Sequence, residues 1–464
     1  MIYFVAAVAG IAGFLFGFDE GVIAGALHLL KVQFSITPVE EGMMTAAVPF
    51  GALFGALVAG RAVSRYGRRA MLLFAAGLFA LGALFAALAI GAWMLTLARL
   101  VLGFAIGIAG LVAPLYISES APAQKRGMLV SIYQLAITLG ILGAYLVGFA
   151  FDDSWRTMFS IGIIPGLALF AGMMVLRDTP RWLALKGRPE EARVAMAKLR
   201  GVPADDPRLA EEFEEIEETA ESDAGHGGWA ELFAPMARPA LIVGIGLFFL
   251  QQLSGINAVI YYAPAVFKEA GFGDASTQIL ATVGVGIVNV LMTLVGMALI
   301  DRIGRRKLLL GGFFFAALAL GMIAIGAVTG AQALDVVAFV GLLVYIAAFA
   351  ASIGPLPWVM MSEVFPLNVR GLGMSVASIT NWGFNFIVVF SFPVLVSTIG
   401  LGGVFAIYSI VCALGIAFTF WYVPETNGVA LEDIEEHLRS GKPFRQLGNT
   451  AAAMPAGLAG AVRP

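Results

Sequence analysis

The chain has 464 residues, 60% of them hydrophobic and 13% charged, with a formal net charge of −3 and a mean hydropathy of +0.90. Soluble domains average roughly 45–50% apolar and 25% charged residues, so this is the composition of an integral membrane protein. The basic residues form no patch that could follow a phosphate backbone, which excludes nucleic acid as a partner, and the one cysteine, Cys412 in an apolar run, excludes a disulfide framework.

A membrane-crossing helix needs roughly 20 apolar residues. Twelve runs come near that length, at 2–27, 43–63, 70–90, 93–117, 128–150, 157–176, 239–267, 276–300, 308–330, 335–365, 371–397 and 401–423, which predicts an all-α membrane protein of twelve spans. The first run is kept as a helix rather than a signal peptide, because it has no basic stretch and no small-residue cleavage site before its acidic pair, Asp19 and Glu20. His28, His226 and His437 fall at segment ends or in polar stretches, so neither a metal site nor a cofactor is expected inside the membrane.

Of the 28 lysines and arginines, all but Lys31, Arg156, Lys268 and Arg99 lie in or beside one set of alternate loops and the C-terminal tail, counting Arg61 with the loop it precedes. Basic loops stay in the cytoplasm, which places both termini there together with a long linker at 177–238. The linker stretches "EEARVAMAKLR" and "EEFEEIEE" read as short charged amphipathic helices, with no nucleotide or metal motif. The expected organisation is a six-helix half at 1–176, a cytoplasmic helical linker at 177–238, a second six-helix half at 239–423 and a tail at 424–464.

The halves repeat each other. "SRYGRR" at 64–69 recurs as "DRIGRR" at 301–306, and "RDTPR" at 177–181 is matched by "PETNG" at 424–428. In "PLYISESAPAQKRG" and "PWVMMSEVFPLNVRG" a glutamate precedes an Arg-Gly by the same step, Glu119 to Arg126 and Glu363 to Arg370. Parallel six-helix repeats are a transporter architecture, with the substrate bound at the midplane between them.

Together with "GFDEGVIAGA", the arginine-glycine pattern from Arg99, "TPRWL", "QQLSGINAVIYYAP" and "GPLPWVMMSEVFP", these stretches resemble the sugar porter family of the major facilitator superfamily over essentially the whole chain. The resemblance implies a carrier of small neutral sugars working by alternating access, as a monomer in a cell membrane, here the inner membrane of a bacterium. Two departures stand out. Ser64 replaces the usual aspartate of the first loop motif, which is expected to weaken that copy's contact with its partner helix, and "RDTPR" keeps its acid as Asp178 in an altered setting.

The charged motif residues sit at the basic helix ends: Arg65, Arg68, Arg69, Glu119, Arg126, Asp178 and Arg181 in one half, and Arg302, Arg305, Arg306, Glu363, Arg370 and Glu425 in the other. A single exposed pair is worth about 0–1 kcal/mol. A shared network between helix ends is worth more and would open when the carrier opens. The plain alternative is that the arginines only set topology, but matched acids have little topogenic role.

A neutral polyol suits amides, which donate and accept, and an indole, which stacks on the apolar ring face. Gln134, Gln251, Gln252, Asn257, Asn289, Trp358, Asn381, Trp382 and Asn385 supply such groups, and positions 251 to 258 read as one helical face on which Ser254 and Gly255 allow close approach. An isolated amide would more simply make an interhelical hydrogen bond, worth about 0.6 kcal/mol. The resemblance implies sugar contacts at Phe16, Gln134, Ile137, Ile141, Gln251, Gln252, Ile256, Asn257, Asn289, Phe349, Trp358, Trp382 and Asn385. It also implies a hexose rather than a pentose, from Ile141, and the loss of an acid contact at Ala350. Gly354, Pro355 and Pro357 read as a gating hinge, and Tyr261 and Tyr262 as an outer gate, although an interfacial belt also uses tyrosines.

An ionisable residue inside a span costs roughly 2.5–3.5 kcal/mol on insertion scales and marks a functional site. Asp19 and Arg99 are the candidate partners, since a guanidinium favours a carboxylate's charged form and burial disfavours it. A carboxylate that gains and loses an arginine as the halves rock would change its proton affinity with conformation. The resemblance agrees, because proton-coupled members keep an aspartate here and passive members do not. Glu20 points about 100° away, with its face undetermined. The expected function is proton-coupled hexose symport. Passive uniport, polyol or inositol symport, and a non-transporting sugar sensor are the alternatives, and no catalytic constellation supports an enzyme.

Overall fold

The computed structural model describes residues 1–122, 125–203, 206, 209, 213, 228–366, 369–429 and 431–447. Much of the expected linker, including "EEFEEIEE" and His226, lies outside the described residues, as does the side chain of Arg126.

Six crossings precede the linker. They are α1 (Ile2–Phe34), α2 (Pro38–Tyr66), α3 (Arg68–Ala87), α4 (Ala92–Ser120), α5 (Arg126–Ala150) and the pair α6 (Trp155–Ile161) and α7 (Ile163–Val175), which form one span. The linker contributes α8 (Pro180–Leu185), α9 (Pro189–Arg200) and α10 (Trp229–Leu232). The second half holds α11 (Arg238–Leu253) and α12 (Ile256–Glu269) as one broken span, then α13 (Ala275–Ile303) and α14 (Arg305–Thr329). α15 (Leu334–Ala348) continues through a π turn at Phe349–Ile353 into α16 (Leu356–Val364). α17 (Arg370–Tyr422) is 53 residues long, enough for two crossings, and turns at Gly400, where φ is 71°. The amphipathic α18 (Leu431–Arg439) follows it.

Helix boundaries follow local chemistry. α2 opens with a capping box in which Thr37 and Glu40 satisfy each other's backbone amides, with Pro38 in the first turn. α1 outlasts its apolar run to end at Phe34, because a helix need not stop at the hydrocarbon edge. Each half packs through small residues. A Cβ on Gly17 of α1 would lie 1.8 Å from the Ile137 carbonyl of α5, and one on Gly103 of α4 would lie 2.1 Å from the Val48 carbonyl of α2. With no hydrophobic force between helices in lipid, such backbone approach supplies the van der Waals contact that holds a bundle. Large apolar side chains such as Ile164, Leu167, Ile325 and Val328 stay exposed on the outer faces, where lipid covers them.

Contacts that join the halves lie at mid-height or toward the end opposite the basic loops. Tyr145 donates to the Ile260 carbonyl at 2.9 Å, Phe16 meets Trp382 at 5.4 Å and Phe50 meets Phe386 at 5.1 Å. A Cβ on Gly42 of α2 would lie 2.3 Å from the Phe390 carbonyl of α17. The end away from the basic loops is therefore sealed.

Candidate transport site

The first half buries charge. Asp19 on α1 and Arg99 on α4 are 1% and 0% exposed, with Arg99 Nη2 at 3.5 Å from Asp19 Oδ2. Arg99 is held elsewhere as well, donating Nε to the Met44 carbonyl of α2 at 3.1 Å and lying 5.9 Å from the Phe159 ring, while its Nη1 has no partner among the described residues. The guanidinium is thus anchored to α2 and reaches the carboxylate by one long contact, an arrangement that a small movement of α1 would break or tighten. Glu20, next to Asp19 on α1, is 3% exposed.

The second half buries amides. α11 stops at Leu253 and α12 starts at Ile256, with Gly255 at φ 89° against the Tyr408 ring, a position that excludes any Cβ. The expectation of one continuous helical face over 251 to 258 is corrected by this break. The amides still meet, because the break lets Asn257 Nδ2 donate to Gln252 Oε1 at 2.7 Å while Gln252 Nε2 donates to Asn381 Oδ1 at 2.6 Å. Gln251 Nε2 donates to the carbonyls of Ile353 and Gly354, both at 2.8 Å. Pro357 has no N–H to offer the Ile353 carbonyl four residues earlier, so the π turn and the Pro355–Pro357 segment leave acceptors that Gln251 fills.

The other expected sugar contacts divide by surroundings. Asn289 on α13 and Ile256 are buried, as is Asn385, whose Oδ1 has no partner. Ile137 and Ile141 of α5 are buried too, while Gln134 and Phe349 are half-buried. Trp358 is 39% exposed and packs edge-on to Phe248 at 4.7 Å, and Trp382 meets Phe16 across the two halves. At the sealed end Tyr261 and Tyr262 are 0% and 1% exposed. Tyr262 leaves helical geometry at ψ 16°, donates to the Val389 carbonyl at 3.1 Å and stacks on Phe392 at 4.9 Å.

The basic ends of the two halves are built alike. After Gly67 and Gly304, at φ 94° and 92°, α3 and α14 begin, and Asp178 or Glu425 accepts from their first amides: Arg68 N at 2.7 Å and Arg69 N at 2.9 Å, against Arg305 N at 2.9 Å and Arg306 N at 3.2 Å. Carboxylates at helix N-termini are favoured by the dipole and by the unpaired amides there. Burial pushes the Asp178 carboxyl above the usual aspartate range, and the amide bonds from Arg69 and Arg68 oppose it. Arg68 forks onto Glu119 at 2.6 and 2.8 Å, whereas Arg305 reaches Glu363 by one contact of 3.0 Å. Thr179 and Thr426 donate to the same two glutamates, and Arg69 and Arg306 cap carbonyls at Met174 and Phe420.

The same geometry bears on two expectations. Each pair named here lies within one half and, among the described residues, ties helix ends of that half together. Ser64 keeps one contact through its carbonyl, which accepts from Trp182 Nε1 at 3.1 Å, as the Asp301 carbonyl accepts from Asn427 Nδ2 at 3.1 Å. What the serine lacks is the pair that Asp301, exposed near the end of α13, makes with Arg305 at the start of α14, 3.0 Å in the second half. Arg65 and Arg302 are exposed at these ends, Arg65 lying over the Tyr66 ring, and Arg370 donates to the Phe365 carbonyl.

The model of the sugar (and other) transporter family matches residues 5–438. The chain belongs to that family, within the major facilitator superfamily. It is a multi-pass membrane transporter and not an enzyme. The transporter is 40% identical to the D-xylose transporter of Levilactobacillus brevis, over 97% of this chain and 98% of that one. It is 39% identical to the galactose-proton symporter of Escherichia coli strain K12, over 97% of each. Among solved structures it is similar to an inward open conformation of the E. coli xylose transporter XylE, with a TM-score of 0.82, 29% identity and coverage of 94% of this chain and 99% of that one.

Proposed function

We propose that the transporter is a proton-coupled sugar symporter that moves a neutral hexose by alternating access. The observation that carries the reading is the buried Asp19–Arg99 contact beside the buried amide chain of the second half. Asp19 is the proton carrier and Arg99 sets its affinity. Gln251, Gln252, Asn257, Asn289 and Asn385 offer donors and acceptors to ring hydroxyls, and Phe16, Trp358 and Trp382 offer stacking faces. The relatives named for xylose and galactose support sugar and proton as cargo, and the hexose rests on Ile141 alone.

The halves at 1–176 and 239–423 move as units about the linker, with both termini in the cytoplasm, in a bacterial inner membrane and as a monomer. In this orientation Tyr261 and Tyr262 close the outer gate, and the break at Gly354, Pro355 and Pro357 lets α16 swing at the inner one. Uptake of labelled glucose, galactose and xylose into proteoliposomes, with and without an imposed pH gradient, tests the reading. Accumulation that requires the gradient supports symport, and equal uptake in both conditions contradicts it in favour of a uniporter.

A further inference from the structure

Glu20 stands outside the Asp19–Arg99 pair and the amide chain. It is buried in mid-helix, and among the described residues no donor or cation stands within bonding distance of its carboxyl, Arg99 being turned to Asp19. Its direction follows from its neighbours on α1. Gly17 and Gly21 face α5, where a Cβ would lie 1.8 Å from the Ile137 carbonyl and 2.7 Å from Ala144 Cβ respectively, Asp19 faces α4, and Phe16 meets Trp382 of the other half. At about 100° per residue, Glu20 projects between the α5 face and the Phe16 face, one turn beyond Phe16.

α5 and α12 run in the same direction as α1. A Cβ on Gly21 would lie 2.8 Å from the Ile141 carbonyl and 2.7 Å from Ala144 Cβ, which sets Glu20 at or just beyond the level of Ile141, while Tyr145 and Tyr261, four residues after Ile141 and Asn257, lie about 6 Å nearer the sealed end than those two. The Glu20 carboxyl lies within electrostatic reach of the Tyr133, Tyr145 and Tyr261 hydroxyls. The Tyr145 hydroxyl is used on Ile260, whereas those of Tyr133 and Tyr261 are buried without a partner. Between Ile141 and the two tyrosines lie an acceptor and a donor that no partner among the described residues answers, on the sealed side of the amides.

We propose that Glu20 and the Tyr261 hydroxyl form the far wall of the sugar site and select a sugar bearing an exocyclic hydroxymethyl over the pentose that lacks it, an inference that rests on the sugar-symport reading above. Ring hydroxyls meet the amides, and the hydroxymethyl arm is the group long enough to reach the next layer. Its hydroxyl donates to the carboxyl and accepts from the phenol. A buried polar site left unpaired by the smaller sugar discriminates against it more strongly than an apolar pocket would.

Glucose and xylose share ring stereochemistry and differ by that arm, so the test is their half-saturation ratio in proteoliposomes for the wild type, Glu20→Ala and Glu20→Gln. Glu20→Ala should shrink the preference for glucose by about tenfold, the loss of one buried hydrogen bond, while xylose changes by less than about twofold. Glu20→Gln, which keeps an acceptor, should recover most of the preference. An unchanged ratio in Glu20→Ala, or loss of proton-driven accumulation in Glu20→Gln with the ratio intact, overturns the proposal, the second by making Glu20 a proton carrier. A wild type that transports neither sugar refutes the symport reading itself.

Discussion

The two halves share one frame and differ at mid-height. Their basic ends repeat contact for contact, from the glycine that starts α3 or α14 to the acid that caps it and the threonine on the glutamate. Between these ends the first half buries Asp19, Glu20 and Arg99, and the second buries Gln251, Gln252, Asn257, Asn289, Asn381 and Asn385. A duplicated scaffold has been given charge on one side and neutral hydrogen-bonding groups on the other. In a medium where charge is expensive, that separation keeps the Asp19–Arg99 pair on one half and the amides proposed for the sugar on the other.

Arg99→Met should have the largest effect on stability. Removing one partner of a buried pair typically costs about 3–5 kcal/mol, and the cost should fall in the double variant Arg99→Met with Asp19→Asn, which no longer carries the orphaned acid. Thermal unfolding in detergent checks it, and additive losses would break the claim that the pair is coupled.

The shared frame is tested by its two glutamates. Arg68–Glu119 is bidentate with side chains 9% and 5% exposed, while Arg305–Glu363 is single with Glu363 21% exposed. Glu119→Gln should therefore lower stability by about 1.5–3 kcal/mol and Glu363→Gln by about 1 kcal/mol, read from melting temperatures. The reverse order would restore the idea that Ser64 makes the first copy the weaker.

On the neutral side, Gln252→Ala removes the hub between Gln251, Asn257 and Asn381. It should weaken sugar binding by about tenfold, with the pH dependence of transport unchanged. Unaltered affinity would reduce these amides to interhelical ties. Smallest of all, Ser64→Asp should add a pair with Arg68 like Asp301–Arg305, worth about 0–1 kcal/mol because Asp301 is 78% exposed at its side chain.

Much of this was legible in the sequence. The twelve spans follow from hydropathy, and the repeated motifs named the residues of both basic ends because the same backbone turn demands the same glycine and acid twice. The roles within the ends were not legible: that the pairs stay inside a half, and that position 64 acts through its carbonyl, depend on which helix each loop faces. Gln251 read as a sugar ligand, and the structure also gives it the orphaned carbonyls beside Pro357, which lie about a hundred residues away in sequence. Glu20 could not be oriented until the glycines of α1 fixed the α5 face.

The central claim is that Asp19 carries the proton and the amides of the other half carry the sugar. Asp19→Asn keeps the shape and fixes the side chain neutral. In proteoliposomes, sugar exchange across the membrane should persist near the wild-type rate, while accumulation driven by an imposed pH gradient should disappear. Accumulation surviving intact in Asp19→Asn, or exchange and accumulation falling together with stability, would contradict the account.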